Sequence, residues 1–582
     1  MKRVRFTIFL LLILVIAFVG LIVRCFCLQY FKNDHYTEIC LNQLSYQQWQ
    51  PQRGPIFDTR LRLLAASNRV QNIFADSHLI GDIENIKEAS IQLSSVMDVG
   101  AHIICSEILD SKNPRYTKLF EDAALEQCQA AQKIRGVAVQ TDYRRTYPMG
   151  SLMAHIVGFT SKDNHGLEGI ELKFDEELRG TDSKNVFFAD VRRRPIRLKE
   201  QNGILNDGVG IILTVDATIQ QFVREELTKQ YKEFEAESAM AIVANPKTGE
   251  ILAMVSVPDY DPNNPLGTDP NNLRNRLVTD QFEPGSMIKP IVTAIALEKG
   301  AIRKDETIYC ENGDYFGKSF GRINEYKNHR FGNLKIREIL IKSSNIGMAK
   351  MGQKMGQETL YEGLKKFGFG ELTGIELPGE VEGLLRPLSM WSGYSVTRIP
   401  YGYEINVTSM QMLRAYCILA NGGRLVRPYL VKAVIDNKGE IVQMKRPMPP
   451  VGYIIKPEVA KWLINDALVG VVNERNDGGT GWRAKLDKWQ VFGKTGTANI
   501  AKVGQKGYED NSNIASFVAG APAKDPAIVV LVSIRRPNGK LGKGDSGGAV
   551  ASPVAGRIIE RTLTYMGLAP TEKPKQVVAK KK

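Results

Sequence analysis

From Phe6 to Val23 the chain reads FTIFLLLILVIAFVGLIV, 18 residues without a charge, and no second run of that kind follows. Wound as a helix it measures about 27 Å, against a bilayer hydrocarbon core of about 30 Å. Lys2, Arg3 and Arg5 stand before it, and positive flanks stay on the cytoplasmic side. Residues 1–5 are therefore expected inside, 6–23 across the membrane and the remainder outside. A cleaved signal peptide is the rival reading, but its apolar part is about 7–15 residues long and ends at a small-residue site, which this chain lacks. A retained single-pass anchor is expected.

What lies beyond the anchor is large and foldable. At 582 residues, with 43% hydrophobic and 24% charged residues, the chain exceeds one core and is too apolar to be largely disordered. The net charge of +14 is spread widely, with its one dense run in the tail TEKPKQVVAKKK, and no nucleic-acid-binding module accompanies it. The seven cysteines and six histidines show neither CxxC pairs nor ligand spacing. Neither nucleic acid nor a metal or other cofactor is expected.

Changes of character divide the exported part. Residues 24–48 lack apolar periodicity and read as a linker. Residues 49–205, mixtures broken by Gly and Pro, read as an open, strand-rich block with few helices. Residues 206–565 read as an α/β domain, and 566–582 as a disordered basic tail. After Asp216, Ile219, Phe222, Val223 and Leu227 share a helix face. AMAIVANPKTGEILAMVSV reads as a hairpin, and WQVFGKTGTA, IASFVAG and AIVVLVSI as further strands before a closing helix. The expected architecture is an antiparallel sheet with N- and C-terminal helices on one face and an all-helical insertion on the other.

Two serines compete as nucleophile. Ser546 lies in GDSGG, the lettering of a trypsin-like nucleophile loop, but that chemistry needs a His oriented by an Asp, and no such His motif precedes it. Ser286 begins Ser-Met-Ile-Lys, with Lys289 one helical turn on and so on the same face, the geometry of a nucleophile beside an amine base. The bland reading, a helix cap beside a surface lysine, is the commoner fate of such a pair. Downstream stand Ser343-Ser344-Asn345 and Lys494-Thr495-Gly496-Thr497. Each is weak alone: Ser111-Lys112-Asn113, Ser183-Lys184-Asn185 and Lys247-Thr248-Gly249 match as well. GKT at 493–495 fails as a P-loop because residue 488 is Lys.

Order and context raise the odds. Ser-x-x-Lys opening a helix, Ser-x-Asn in a helical insertion and Lys-Thr-Gly on a strand resemble the penicillin-binding proteins and serine β-lactamases. RNRLVTDQFEPGSMIKP, SSNIGMAK, PYGYEINVTSMQMLRAYCILANGG and GGAVASPVAGRII resemble, more narrowly, the class B penicillin-binding proteins, and QRGPIFD and GLEGIE look like their pedestal (dimerisation) domain. A class A β-lactamase, with its deacylating base and no anchor, fits less well.

The resemblance implies a penicillin-binding transpeptidase fold at 206–565 behind a pedestal at 49–205. It also implies a bacterial plasma-membrane enzyme with its catalytic domain outside. Ser286 would be the nucleophile, attacking the penultimate D-Ala of a peptidoglycan stem peptide. Lys289 would be the base, helped to a neutral state by the nearby charge of Lys494. Ser343 would relay a proton to the leaving amine and Asn345 would hold the donor amide. The Thr495 and Thr497 hydroxyls, with Lys494, would bind the terminal carboxylate, Gly496 would belong to the same substrate-binding and oxyanion strand, and the backbone N–H groups of Ser286 and Thr497 would form the oxyanion hole. β-Lactams would acylate Ser286. Ser-Ser-Asn, the FEPGS lead-in, the chain length and the absence of C-terminal repeats look like the septal, FtsI or penicillin-binding protein 3 type. Such enzymes act on lipid-linked precursor strands beside a SEDS-type (FtsW-like) glycosyltransferase and other division proteins. An elongation-type enzyme and a non-catalytic β-lactam sensor or scaffold remain the alternatives.

Overall fold

The computed structural model describes residues 2–31, 44–49, 51–181, 183–189, 195–196, 207–445, 447, 452–502, 504–505 and 507–571. Two compact units result, Met1–Gln52 with Gly180–Asp207, and Arg53–Arg179 with Gly208–Lys582.

In the first unit the uncharged run lies inside helix α1 (Lys2–Phe26), of which Val4–Phe26 is long and apolar enough to cross a membrane. It is the one such helix among the described residues. Much of the expected linker is structured. A π-helical turn covers Cys27–Phe31, and Leu44–Trp49 is a strand pairing antiparallel with Ser183–Ala189 in the register Leu44↔Phe188 to Trp49↔Ser183. Backbone pairing with a partner far along the chain makes that strand; its own sequence, LSYQQW, has no apolar alternation to announce it. Residues 32–43, and the tail beyond residue 571, lie outside the described residues.

The second unit begins with a seven-stranded sheet running Ile441–Met444, Val431–Ile435, Gly210–Leu213, Ile56–Phe57, Leu63–Ala75 and Thr117–Phe120, with Val137–Thr146 also on Leu63–Ala75. The parallel pair Ile56↔Ile211 carries this sheet from the first exported block into the second. The expectation of few helices in the first block is corrected. Ile83–Met97, Ala101–Leu109 and Leu125–Ala131 are helices over a core that includes Ile73, Leu93, Ile104 and Ile108. Ile86, Ala89, Ser90 and Leu93 bury at helical spacing, and Asp82 caps by accepting from the Asn85 N–H; Lys87, Glu88 and Gln92 between them dilute the apolar signal.

The catalytic part follows its periodicity closely. Helix α2 (Ala217–Glu233) starts at Asp216, whose side chain accepts from the Thr218 N–H, and buries Ile219, Val223 and Leu227. Phe222 is only half-buried and meets Tyr565 edge-on. The hairpin is β1 (Ser238–Ala244) and β2 (Ile251–Val257). Next come α3 (Lys289–Glu298), α4 (Ile336–Lys342), α5 (Asn345–Met355) and α6 (Ser409–Ala420). Strands β3 (Phe492–Ala501), β4 (Tyr508–Ala521) and β5 (Ile528–Arg535) precede α7 (Ser552–Tyr565). The sheet order is β2-β1-β5-β4-β3, antiparallel throughout.

Strand alternation decides what each face holds. Ala239, Ala241 and Val243 pack with α2 and α7 through Val223, Leu227, Ile558 and Ile559. Met240, Ile242 and Ala244 pack with α3 and the insertion through Ile288, Ile291 and Val292. The insertion itself is not all helical. Thr307–Tyr309 pairs with Asn333–Lys335, and Asp314–Gly317 with Gly321–Asn324. These ribbons are three or four residues long on each side, too short for a period-2 signal to show in the sequence.

Candidate active site

A 3-10 turn, Gly285–Ile288, leads into α3, so Ser286 sits in the first turn and Lys289 one turn on. Gly285 has φ +52, and a Cβ there would stand 3.0 Å from the Thr497 carbonyl oxygen. The turn is thus laid against edge strand β3. Two further contacts fix it: the Gly285 N–H donates to the Gly402 carbonyl at 3.2 Å, and the buried Tyr416 hydroxyl of α6 donates to the Met287 carbonyl at 2.8 Å.

Ser343 ends α4 in the left-handed region, φ 59 and ψ 42, and Ser344 caps α5 by accepting from the Gly347 N–H at 3.0 Å. A non-glycine residue held there is strained by about 1–3 kcal/mol, and such strain persists only where the surroundings impose it. The consequence is that the Ser343 hydroxyl and carbonyl, and the Asn345 amide, converge on α3. Lys289 Nζ donates to the Ser343 carbonyl at 2.6 Å, to Asn345 Oδ1 at 2.8 Å and to Ser343 Oγ at 3.3 Å. From β3, Lys494 Nζ reaches Ser343 Oγ at 2.9 Å and the Thr495 carbonyl at 3.2 Å.

The layering matters chemically. Lys289 and Lys494 are both 0% exposed, whereas Ser286, Ser343, Asn345 and Thr497 are half-buried. Two buried amines lie beneath an accessible floor of hydroxyls and an amide. Burial disfavours an ammonium: it brings the Lys289 proton affinity down to about 7, against the pull of the Glu325 carboxylate. Burial likewise drives that of Lys494 well below the ordinary lysine value, and the charge of Lys289 adds to the effect. Desolvation is the main cause in both; the repulsion expected from the sequence to help neutralise Lys289 acts instead on Lys494.

The Ser286–Lys289 hydrogen bond expected of the pair is not among the bonds of the described residues. An ammonium has three donors, and Lys289 directs them at Ser343 and Asn345; a neutral amine keeps two donors and gains a lone pair for a hydroxyl proton. Thr495 Oγ1 lies 2.8 Å from Thr480 Oγ1, and Thr497 Oγ1 accepts from the Gly547 N–H at 3.2 Å.

That last bond accounts for GDSGG. Gly547 presses on β3 and β4: a Cβ there would come within 2.4 Å of the Gly496 carbonyl oxygen and 2.1 Å of the Ser516 oxygen. Ser546 precedes the short helix Gly547–Val550, and its side chain makes no capping bond. The other look-alikes are local turns or strands. Ser111 bonds to its neighbour Asn113, Lys247-Thr248-Gly249 closes the β1–β2 hairpin, and Ser183 lies in the other compact unit.

Sequence reading missed Glu325, which accepts from the Ser344 hydroxyl at 2.5 Å and the Asn345 N–H at 2.6 Å. It also missed Thr480 and Tyr416. Glu325 and Thr480 stand outside every quoted motif, and Tyr416, though inside PYGYEINVTSMQMLRAYCILANGG, carries no local pattern that marks its role.

Two known families match this chain. The penicillin binding protein transpeptidase domain matches residues 239–560, and the penicillin-binding protein dimerisation domain residues 48–208. The chain belongs to the class B penicillin-binding proteins. Its activity is that of a peptidoglycan D,D-transpeptidase. It is 31% identical over 570 residues to Stage V sporulation protein D of Bacillus subtilis (strain 168), covering 97% of this chain and 86% of that one. It is 30% identical over 540 residues to the peptidoglycan D,D-transpeptidase FtsI of Escherichia coli (strain K12), covering 91% and 86%. Among solved structures, penicillin-binding protein 3 from Mycobacterium tuberculosis, complexed with aztreonam, superposes with TM-score 0.69 at 26% identity, covering 91% of this chain and 99% of that one.

Proposed function

We propose that the reaction runs through an acyl-enzyme on Ser286. The observation that carries this reading is the Ser343 hydroxyl held between two fully buried amines, 2.9 Å from Lys494 and 3.3 Å from Lys289. Neutral Lys289 takes the Ser286 proton as Oγ attacks the carbonyl of the penultimate D-Ala. Negative charge develops on that carbonyl oxygen, and the Ser286 and Thr497 backbone N–H groups receive it; one such donor is worth about 100- to 1,000-fold in rate. Collapse breaks the peptide bond, and Ser343 passes a proton, replenished from the lysines, to the departing D-Ala amine. An amine of a neighbouring stem peptide then attacks the ester, its proton returns through Lys289, and Ser286 is released with the cross-link closed. Lys494, Thr495 and Thr497 suit the donor's terminal carboxylate. A β-lactam mimics the donor and stays on Ser286.

Labelling with fluorescent penicillin tests this. Ser286→Ala abolishes labelling of a folded protein and Ser546→Ala retains it; an adduct mapped by mass spectrometry to the Ser546 peptide overturns the mechanism.

The cellular role we infer is septal, with α1 anchoring the enzyme, its N-terminus cytoplasmic, and a SEDS-type glycosyltransferase supplying glycan strands. Support comes from the Ser-Ser-Asn and FEPGS lettering and the likeness to FtsI. Depletion yields long cells without septa; rounded, dividing cells overturn the septal role in favour of elongation.

A further inference from the structure

The Ser343-Ser344-Asn345 turn is strained at Ser343, yet it must hold two hydroxyl and amide groups on a buried amine, so something outside it must fix its shape. Glu325, only 3% exposed, follows the ribbon strand Gly321–Asn324. Its Oε1 accepts from the Ser344 hydroxyl at 2.5 Å and the Ile346 N–H at 3.3 Å, and its Oε2 from the Asn345 N–H at 2.6 Å. All these donors lie at the N-terminus of α5, where free N–H groups and the helix dipole favour an anion. The residue before it completes the clamp: the Asn324 carbonyl accepts from Asn345 Nδ2 at 3.1 Å. That bond fixes which way the Asn345 amide points, and leaves its Oδ1 facing Lys289 Nζ at 2.8 Å.

We propose that Glu325 is a positioning residue for the transferase reaction, its buried carboxylate clamping the start of α5 so that Ser343 and Asn345 are held on the Lys289 amine. The inference rests on the acyl-enzyme reading above. A cap alone would need one acceptor, and Ser344 already supplies it by accepting from the Gly347 N–H. Glu325 adds a charge that faces the reacting amine. The groups around Lys289 are Lys494 from β3, Ser343 and Asn345 from the turn, and Glu325 behind it. On its far side Glu325 acts on the Cys310 thiol, which Lys350 and Glu311 also influence. The carboxylate stabilises the Lys289 ammonium, opposing the burial that neutralises it. It therefore holds the geometry while keeping the amine near its point of titration, two effects that a purely structural carboxylate would not combine.

The full-length protein labelled with fluorescent penicillin across a pH series provides the test. Glu325→Gln is expected to slow acylation about 10- to 100-fold, the worth of hydrogen bonds to a charged group, and to move the midpoint of the pH–rate curve to lower pH. Glu325→Asp keeps the charge and is expected to retain the midpoint and recover part of the rate. A folded Glu325→Gln protein with wild-type rate and midpoint overturns the proposal. If Glu325→Gln does not fold, Ser344→Ala decides. That variant keeps the charge and two of the three bonds, so an unmoved midpoint with a rate about 3- to 10-fold lower supports the clamp, and an unchanged rate overturns it. Ser286→Ala is run in parallel: labelling that survives there sinks the acyl-enzyme reading itself, whatever Glu325 does.

Discussion

Among the described residues, two places bury cations completely, and they do it in opposite ways. In the pedestal, Arg53 from QRGPIFD is 0% exposed and meets Glu171 from GLEGIE, also 0% exposed, at 2.5 Å, with Asp175 at 2.6 Å; Arg145 reaches the other Glu171 oxygen at 2.7 Å. In the catalytic domain, Lys289 and Lys494 are equally buried but donate only to carbonyl, amide and hydroxyl oxygens. Guanidinium stays charged and matches carboxylates in a fork, whereas a lysine amine gives up its proton when desolvated. The first arrangement makes a rigid node that ties residue 53 to residue 171. The second leaves Lys289 with its pKa lowered to about 7, as the proposed base requires.

The contrast can be broken most sharply at Lys289. Lys289→Ala is expected to lower the acylation rate about 100- to 10,000-fold, the usual worth of a general base, with the fold kept, as read by stopped-flow penicillin labelling. A folded variant that acylates at the wild-type rate would reverse the assignment of the base.

Next in size is a stability effect. Arg53→Met leaves Glu171 buried beside only one remaining guanidinium, and breaking such a buried pair costs about 3–5 kcal/mol. Lys494→Met removes a buried amine that has no carboxylate partner, and is expected to shift stability by less than about 1.5 kcal/mol, the range for volume-conserving swaps, while abolishing efficient acylation. Denaturant unfolding of both variants compares them directly, and equal losses would erase the distinction between node and base.

The smallest effect is continuous in pH. Below about 7 Lys289 is protonated and cannot accept the Ser286 proton, so the acylation rate rises as pH passes through about 7. Stability moves with the same sign. An unfolded lysine holds its proton up to its ordinary value of 10.5, so between about 7 and 10.5 the unfolded chain binds more protons than the native one, and the folded state gains as pH rises. Paired rate and unfolding measurements from pH 6 to 9, a range chosen to bracket that titration, check both signs.

How the site could be read in advance follows from the range of each interaction. Lys289 lies over Ser286 because of helical pitch alone, and the alternation of Ala239 to Ala244 sorts two cores because strands have period 2. These features were legible, as was the order of the motifs. The middle serine of Ser-Ser-Asn was not: Ser344 looks interchangeable in the sequence, yet its hydroxyl donates to Glu325 and accepts from Gly347. The ribbon that delivers Glu325 is too short to show periodicity, and the strand Leu44–Trp49 owes its form to a distant partner.

By itself, then, the sequence determined the long apolar N-terminal helix, the strands and helices of the sheet's two faces and the candidate nucleophile, because each depends on residues within a turn or two of one another. Tertiary structure alone decided the rest: that Ser343 bridges two amines, that Glu325 holds the turn, that Gly547 and not Ser546 is what GDSGG supplies to β3, and that burial is the main reason Lys289 loses its proton near neutrality. Those outcomes depend on which distant groups share one small dry volume, and on how little water reaches them, neither of which local spacing encodes.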